Sequence, residues 1–145
     1  MTGTRDILDE MICFEVYNTE HAFTRLYKGM LKDMNLTYPQ FLVMLLLWQE
    51  DGQIVSAIGK RLGLESNTLT PLLKRLEKAG LVTRVRDPED ERRVRVSLTS
   101  EGRALRSRVK GIETCLIEAT GMDMEELRVL LGSLRKLRKN LQSAA

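Results

Sequence analysis

The amino-acid sequence predicts a mainly α-helical chain with one small β-hairpin. Six segments carry apolar residues at helical spacing, and one segment, residues 81–98, alternates apolar and polar side chains around a charged loop. The 145 residues, 43% hydrophobic and 30% charged, fit one globular chain. The longest apolar run, residues 41–48, is too short to cross a bilayer, and no segment has the composition of a secretion signal. We therefore expect a cytoplasmic protein that contacts no membrane.

The first two helices are predicted from apolar spacing and from one N-terminal signature. Residues 6–34 form a long amphipathic pattern. The second helix begins at Thr37, which can cap it, because Gln40 stands at the capping-box position and Pro39 is allowed in the first turn. Residues 41–48 are apolar on every side, which predicts a central and buried helix.

Two short helices separated by a glycine follow. The first spans residues 54–62 and is ended by Gly63, and the second spans residues 65–79 and is stopped by Gly80. Such a pair is a helix-turn-helix, here over residues 54–79, and its second helix usually enters the major groove of DNA by its N-terminal residues. The inner face of the second helix consists of Leu69, Leu72, Leu73 and Leu76.

Residues 81–98 predict a hairpin with one buried face, since Val94, Val96 and Leu98 alternate with polar residues. Joined to the helix-turn-helix, the hairpin makes a winged helix over residues 37–99. Arg92 stands near the wing tip, where a guanidinium can enter a narrow minor groove. In the alternative interpretation the hairpin is solvated and Arg92 merely pairs with Asp90. The residues predicted to contact DNA are Ser66, Asn67, Thr68, Thr70, Pro71, Lys74, Arg75, Arg84, Arg86, Asp90, Arg92 and Arg93.

The charge is distributed unevenly along the chain. The net charge of +3 divides into −2 for residues 1–64, +5 for residues 65–110 and 0 for residues 111–145. A basic block between nearly neutral arms favours a partner that is a polyanion, such as double-stranded DNA. The alternative is that this block is a plain solvated face.

The C-terminal part predicts two further helices and a dimer. One spans residues 100–118, and the last begins at Asp123, with Glu126 at capping-box spacing. The last helix carries a leucine stripe near heptad intervals that is too large to leave in water. With the N-terminal helix it is predicted to form a homodimer interface from residues 5–34 and 100–143. A dimer implies a pseudo-palindromic operator with half-sites roughly 34 Å apart. The stripe consists of Leu127, Leu130, Leu134, Leu137 and Leu141.

The two cysteines, Cys13 and Cys115, lie far apart in the chain. They form neither a metal knuckle nor a CxxC pair, so we expect no metal site and no cofactor. A lone cysteine on a helix is most often a packing residue, and its reactivity decides whether it has a function. The residues alone leave both interpretations of Cys13 open.

Two parts of the sequence resemble a known family. “TPLLKRLEKAGLVTR” followed by “DERRVRVSLTSEGR” resembles the core of the multiple antibiotic resistance regulator (MarR) family of winged-helix repressors, and the order of helices fits across nearly the whole chain. “CFEVY”, “LYKGML” and “LTYPQFLVMLLLW” are similar to the organic hydroperoxide resistance regulators within that family. The resemblance implies a homodimer that represses its operator until an organic hydroperoxide oxidises one cysteine.

The resemblance also implies roles for individual residues. Cys13 stands where these regulators have their peroxide-sensing cysteine, and Tyr27 and Tyr38 stand where they have two tyrosines that hydrogen-bond it across the dimer. Tyr17 matches as well. In two-cysteine members a second cysteine late in the chain forms an intersubunit disulfide with the oxidised sensor. Cys115 lies in roughly that region, and either it resolves Cys13 or a small thiol does so instead.

Two other functions are alternatives to a peroxide-sensing repressor. The first is a family member released by a small apolar or phenolic ligand, in which Cys13 only packs. The second is an enzyme, a thiol peroxidase. The sequence shows no general base beside the cysteine, no CxxC motif and no cofactor loop, whereas a third of the chain has the pattern of a DNA-binding module. The sequence therefore favours a regulator over an enzyme.

Overall fold

The structure, a computed structural model, describes residues 6–145, which are mostly helical with a small antiparallel sheet. This confirms the predicted fold class. The described part of the chain divides into two compact units, one that ends at residue 106 and one that spans residues 107–145. The helices and strands are α1 (Ile12–Leu31), α2 (Tyr38–Gln49), β1 (Gln53–Ile54), α3 (Val55–Leu62), α4 (Ser66–Lys78), β2 (Val82–Arg86), β3 (Val94–Leu98), α5 (Ser100–Leu105), α6 (Lys110–Thr120) and α7 (Met124–Ala144).

The prediction of a single helix over residues 6–34 is wrong at both ends of that range. A 3₁₀ turn, Ile7–Glu10, is capped by Asp6, whose carboxylate accepts a hydrogen bond from the Leu8 N–H at 3.1 Å. Met11 is then extended, with φ −91° and ψ 117°, and α1 begins at Ile12. A second 3₁₀ turn, Lys32–Met34, follows α1, and Asn35 ends it in the left-handed region at φ 54°. The apolar spacing runs through the break at Met11, so periodicity could not reveal it.

The second helix confirms its predicted start and its burial. Thr37 accepts a hydrogen bond from the Gln40 N–H at 3.4 Å, and the Gln40 side chain accepts one from the Thr37 N–H at 2.9 Å, which completes the capping box. Trp48 donates its indole N–H to the Gly102 carbonyl at 2.8 Å. A Cβ on Gly102 would lie 2.1 Å from the Leu81 carbonyl oxygen, so only glycine fits there. The buried apolar residues of α2 are Phe41, Val43, Met44, Leu47 and Trp48.

The helix-turn-helix consists of α3 and α4. Gly63 ends α3 in the left-handed region at φ 67°, where glycine has no steric penalty. The predicted inner face of α4 is confirmed, since Leu69, Leu72, Leu73 and Leu76 are buried.

The wing is a three-stranded sheet in the order β1-β3-β2. The predicted hairpin is confirmed, with β2 and β3 in register from Val82 opposite Leu98 to Arg86 opposite Val94. The third strand was not predicted, because β1 has only two residues and the sequence assigned Ile54 to the start of α3. It pairs with β3 and attaches the wing to the helix-turn-helix.

The helix predicted over residues 100–118 is also wrong as a single element. It is divided into α5, which is capped by Thr99, a 3₁₀ turn at Arg106–Arg108, and α6. The last helix, α7, begins as predicted, because Asp123 accepts a hydrogen bond from the Glu126 N–H at 2.8 Å. No helix within residues 6–145 is both long and apolar enough to span a membrane.

The predicted dimer interface, residues 5–34 and 100–143, stays a prediction, and its first residue lies outside the described part of the chain. The leucine stripe on α7 is largely open to solvent in the single chain. Leu130 is 42% exposed, Leu134 is 46% exposed and Leu141 is 61% exposed. Exposure of this extent on one helix is typical of a surface that pairs with another protein.

Candidate DNA interface and sensor cysteine

The N-terminal end of α4 presents the predicted base-reading residues. Ser66, Asn67 and Thr68 are exposed in its first turn, and Thr70 is half-buried. Glu65 precedes the helix and provides no side-chain cap, so the first N–H groups of α4 have no side-chain acceptor from it. The Thr68 N–H donates to the Glu65 carbonyl at 3.0 Å, so the donors at this end of α4 are the N–H groups of Ser66 and Asn67 together with the hydroxyls. The more C-terminal predicted contacts, Pro71, Lys74 and Arg75, are exposed as well.

A cleft of about 280 Å³ separates the helix-turn-helix from the wing, and we refer to it as the wing cleft. It brings together predicted residues that are far apart in sequence. Ser56, in the first turn of α3, also lines it and was missed by the sequence reasoning; its hydroxyl at a helix start was the available signal. The predicted DNA contacts that line the wing cleft are Ser66, Thr70, Arg84, Arg92 and Arg93.

Asp90 organises the wing tip. Its carboxylate accepts hydrogen bonds from the Arg92 N–H at 3.1 Å and the Arg92 Nε at 3.2 Å, and it lies 3.7 Å from Arg93 Nε. The predicted pairing of Asp90 with Arg92 is therefore present. The Arg92 side chain nevertheless remains 91% exposed, so its guanidinium is held at the tip and still faces solvent. This geometry suits Asp90 for shaping the turn more than for contacting a ligand.

Two other arginines that are predicted to contact DNA, Arg84 and Arg86, have partners within the protein. Arg86 donates to the Glu91 carbonyl at 3.3 Å. Arg84 binds the Glu77 carboxylate twice, through its guanidinium at 3.1 Å and its backbone N–H at 3.1 Å. The hydrogen bond from the Arg84 guanidinium holds the pKa of the Glu77 carboxyl below its usual value. Arg84 Nε is buried and has no hydrogen-bond partner among the described residues.

The break at Met11 determines where Cys13 lies. Cys13 is the second residue of α1 and is exposed. The N–H groups of Ile12, Cys13 and Phe14 precede the hydrogen bond that Glu15 N–H donates to the Met11 carbonyl, and Met11 offers no side-chain cap. The positive end of the helix dipole favours a negative charge in this turn. A helix running unbroken from residue 6 would have placed Cys13 in its interior, where those N–H groups are used.

The three tyrosines divide between the two ends of α1. Tyr17 follows Cys13 by one turn, and its ring lies 6.4 Å from that of Phe14 and 4.1 Å from that of His21. His21 also lies 2.7 Å from the Tyr17 carbonyl oxygen and 3.2 Å from the Glu20 carboxylate, contacts that the sequence did not predict.

Tyr27 and Tyr38 pack together, with ring centroids 4.5 Å apart. They line a cleft of about 580 Å³ between the end of α1 and the start of α2, which we refer to as the tyrosine cleft. Because α1 is one continuous helix, Cys13 and Tyr27 are about 21 Å apart along its axis. The structure thus brings Tyr27 to Tyr38 and Cys13 near Tyr17, but it separates the two groups within one chain.

Comparisons with known proteins agree with this architecture. A family model described as transcriptional regulator SarA/Rot matches residues 25–109. The chain is 40% identical over 134 residues to the organic hydroperoxide resistance transcriptional regulator of Bacillus subtilis (strain 168), covering 92% of this chain and 91% of that protein. It is 48% identical over 138 residues to the HTH-type transcriptional regulator TtmR of Methylorubrum extorquens (strain PA1), covering 95% of this chain and 71% of that protein. This chain belongs to the MarR family of winged-helix transcriptional regulators.

This MarR-family regulator also resembles proteins whose structures have been solved. Reduced AbfR of Staphylococcus epidermidis, in a structure bound to DNA, matches with a TM-score of 0.78 and 36% identity, over 92% of this chain and 93% of that chain. AbfR has also been solved in a disulfide form, which matches with a TM-score of 0.67 and 40% identity. The resemblance of the sequence to the organic hydroperoxide resistance regulators is confirmed by the relative from Bacillus subtilis.

The second cysteine of this MarR-family regulator lies in the other compact unit. Cys115 is exposed near the middle of α6, and both cysteines are free thiols. No group of three or more His, Cys, Asp or Glu side chains within residues 6–145 is arranged to hold a metal ion. Neither finding tests the resolving role of Cys115, which stays a prediction.

Proposed function

We propose that this regulator binds a pseudo-palindromic operator as a homodimer, represses transcription there, and releases the DNA when an organic hydroperoxide oxidises Cys13. One observation carries the sensing part of the proposal. Cys13 lies at one end of α1 and the Tyr27–Tyr38 pair lies at the other, about 21 Å away. A sensor that combines them is complete only when two copies align their α1 helices in opposite directions, because Tyr27 of one copy then faces Cys13 of the other.

Recognition of DNA is supported by the charge and shape of the first compact unit. The +5 charge of residues 65–110 supplies the attraction for phosphates. The exposed start of α4 fits the major groove, and the exposed guanidinium of Arg92 fits an adjacent minor groove. The structure of AbfR bound to DNA supports the same use of this fold. We further propose that the protein works in the cytoplasm, on double-stranded DNA.

The proposed sensing reaction begins with the Cys13 thiolate. Its sulfur attacks the terminal peroxide oxygen, the O–O bond breaks, and the alkoxide leaves and takes a proton to become the alcohol. The sulfur is oxidised to sulfenic acid while the peroxide is reduced. The N–H groups at the start of α1 and the hydroxyls of the partner's Tyr27 and the partner's Tyr38 would stabilise the thiolate. The relatives TtmR and the organic hydroperoxide resistance regulator are named transcriptional regulators, so we infer a switch and not an enzyme.

The sulfenic acid has two possible fates, and both form a disulfide with loss of water. In the first, Cys115 of the partner subunit provides the attacking thiolate. In the second, a small cellular thiol does so and caps Cys13. The exposure of Cys115 on α6 permits the first route, and the disulfide form of AbfR supports it.

One experiment tests the proposed function. The reduced protein is treated with one equivalent of cumene hydroperoxide, with and without a small thiol, and is then analysed by mass spectrometry and by binding to operator DNA. We expect a mass change on the peptide containing Cys13 and loss of DNA binding in the wild type. Cys13→Ser should bind DNA equally before and after treatment, because the two side chains have similar size and Cys13 lies outside the winged helix.

Cys115→Ser separates the two fates in the same experiment. A covalent dimer on non-reducing gels that disappears in this variant supports a resolving role. If Cys13→Ser instead releases DNA after treatment with hydroperoxide, Cys13 only packs. A regulator released by an apolar ligand would then take the place of our proposal.

A further inference from the structure

Glu77 joins α4 to the wing by accepting two hydrogen bonds from one residue, Arg84. It lies in the last turn of α4, and both oxygens of its carboxylate are bound by Arg84 of β2. One oxygen accepts from the Arg84 guanidinium and the other accepts from the Arg84 backbone N–H, each at 3.1 Å. A carboxylate bound in this way restrains both the side chain and the main chain of the strand.

The backbone hydrogen bond lies on the open edge of the wing. In the strand order β1-β3-β2, β2 has a neighbour on one side only. The Arg84 N–H is donated to Glu77 and not to β3, so it points away from the sheet toward α4. Glu77 therefore occupies a position at which a further strand would otherwise pair.

The side chain of Glu77 continues the face of α4 that lines the wing cleft. Ser66, Thr70 and Leu73 line this cleft, and Glu77 follows at the next helical interval on the same face. One stripe along α4 thus begins with hydroxyls predicted to reach DNA and ends with the carboxylate that holds β2.

Arg84 links this carboxylate to the arginines of the wing tip. Its side chain is only 23% exposed, and it lines the wing cleft together with Arg92 and Arg93. Three guanidinium groups around one small cleft repel each other, and carboxylates offset this repulsion. Asp90 does so for Arg92 and Arg93, and Glu77 does so for Arg84.

We propose that Glu77 is a positioning residue for operator binding. By holding Arg84, it fixes the wing relative to the N-terminal end of α4. Arg92 on the wing then enters one groove of the DNA while Ser66 and Thr70 of α4 enter the adjacent groove. This inference rests on the proposed function, because it assumes that both surfaces bind the same DNA. Glu77 itself needs no contact with the DNA.

A double-mutant cycle between Glu77 and Arg92 tests the inference. The probe is a labelled duplex selected from a random pool by the wild-type protein, and affinity is measured by fluorescence anisotropy. Glu77→Ala is expected to weaken binding about tenfold, and Arg92→Ala should cost much less in the Glu77→Ala background than in the wild type. A merely structural residue would give additive losses.

Arg103→Ala is the matched control. It removes an ion pair of Arg103 with Asp51 at 3.3 Å, which does not involve α4 or the β2 strand. Its effect should add to that of Arg92→Ala. If the losses of Glu77→Ala and Arg92→Ala add within experimental error, or if Glu77→Ala binds like the wild type, the inference is wrong.

Hydrogen exchange in the absence of DNA separates this inference from the proposed function. The Arg84 amide should exchange faster in Glu77→Ala than in the wild type, while the β3 amides change less. Glu77→Gln, which retains one acceptor oxygen without the charge, should be intermediate and serves where Glu77→Ala folds poorly. Failure of the wild type to bind any duplex would overturn the proposed function, whereas unchanged exchange at Arg84 would overturn only the role of Glu77.

Discussion

The wing tip and the first turn of α1 each present a side chain predicted to act on another molecule, but the two regions are built differently. Arg92 is held by Asp90 within a short turn, and the strands below it are joined to α4 by Glu77 and Arg84. Cys13 is followed by Tyr17 at one turn, and the Tyr27–Tyr38 pair lies at the far end of the same helix.

The difference indicates which binding or reactive site a single chain can form by itself and which site requires two chains. The surface proposed to bind DNA is assembled from α3, α4 and the wing of a single chain, as the residues lining the wing cleft show. The proposed sensor draws its groups from two chains. A change at the subunit contact should therefore alter sensing and operator binding together, whereas a change in the wing should alter only operator binding.

The largest expected effect comes from separating the subunits. Leu134→Glu adds a charge to the exposed stripe of α7, where Leu134 is 46% exposed in the single chain. We expect a monomer and an operator affinity about 100-fold weaker, because the two half-sites are no longer bound together. Light scattering and DNA titration measure both effects.

A matched variant checks this result. Gln142→Glu adds the same charge away from the leucine stripe and should leave the dimer intact. A Leu134→Glu protein that stays dimeric would show that α7 does not form the interface.

The next effect concerns the wing alone. Arg92→Ala should weaken operator binding about tenfold or more and reduce the dependence of affinity on salt, because each subunit loses one cation next to the DNA. Oxidation of the variant by hydroperoxide should proceed at the wild-type rate. Arg128→Ala, which removes the same charge from α7, is the control, and equal losses in the two variants would argue against a specific role of the wing tip.

A smaller effect tests whether the tyrosines act across the dimer. Tyr27→Phe should slow formation of the sulfenic acid about tenfold, because a hydrogen bond to a charged acceptor is lost. A mixed dimer of one Cys13→Ser chain and one Tyr27→Phe chain then decides the geometry. The mixed dimer has a single Cys13, which faces an intact Tyr27 if the contact is between subunits. This Cys13 should therefore react at the wild-type rate, as measured by trapping the sulfenic acid. A slow reaction in the mixed dimer would contradict the contact.

The smallest effect is the pH dependence of the Glu77–Arg84 pair. The pKa of Glu77 is lowered in the folded protein, chiefly by its hydrogen bond from Arg84, so the pair stabilises the fold when the carboxyl is ionised. This stabilisation should be constant above the ordinary pKa of 4.5 and should disappear as the pH falls through the lowered value. The measurement is the free energy of unfolding of the wild type minus that of Glu77→Gln, which does not titrate. A difference that grows toward low pH would be the wrong sign.

Much of the winged helix could be predicted because its signals are local. Thr37 and Gln40 form their capping box, Gly63 ends α3, and the alternation of Val94, Val96 and Leu98 gives the buried face of the wing. Each of these features depends on residues a few positions apart, and the apolar faces then determine which side is buried.

The features that were missed depend on backbone geometry or on distant partners. Nothing in the apolar spacing marks Met11 as extended, yet this residue determines that Cys13 lies in the first turn of α1. The β1 strand exists only because β3 is beside it. Arg84 was predicted to contact DNA because it is a basic residue of the block 65–110, and only the fold reveals that Glu77 binds it. The proposed roles of the tyrosines came from the family resemblance, since the spacing of residues along one chain does not reveal which side chains meet across a dimer.

The buried indole of Trp48 gives the protein an optical signal of its own. Trp48 is the sole tryptophan of the sequence, and its N–H is bound to the Gly102 carbonyl, which ties the end of α2 to the start of α5. Any rearrangement that separates these helices must break this bond and expose the ring, which shifts its emission to longer wavelengths. The intrinsic fluorescence of the unlabelled regulator therefore distinguishes oxidation that repacks the winged helix from oxidation that moves it as an intact body.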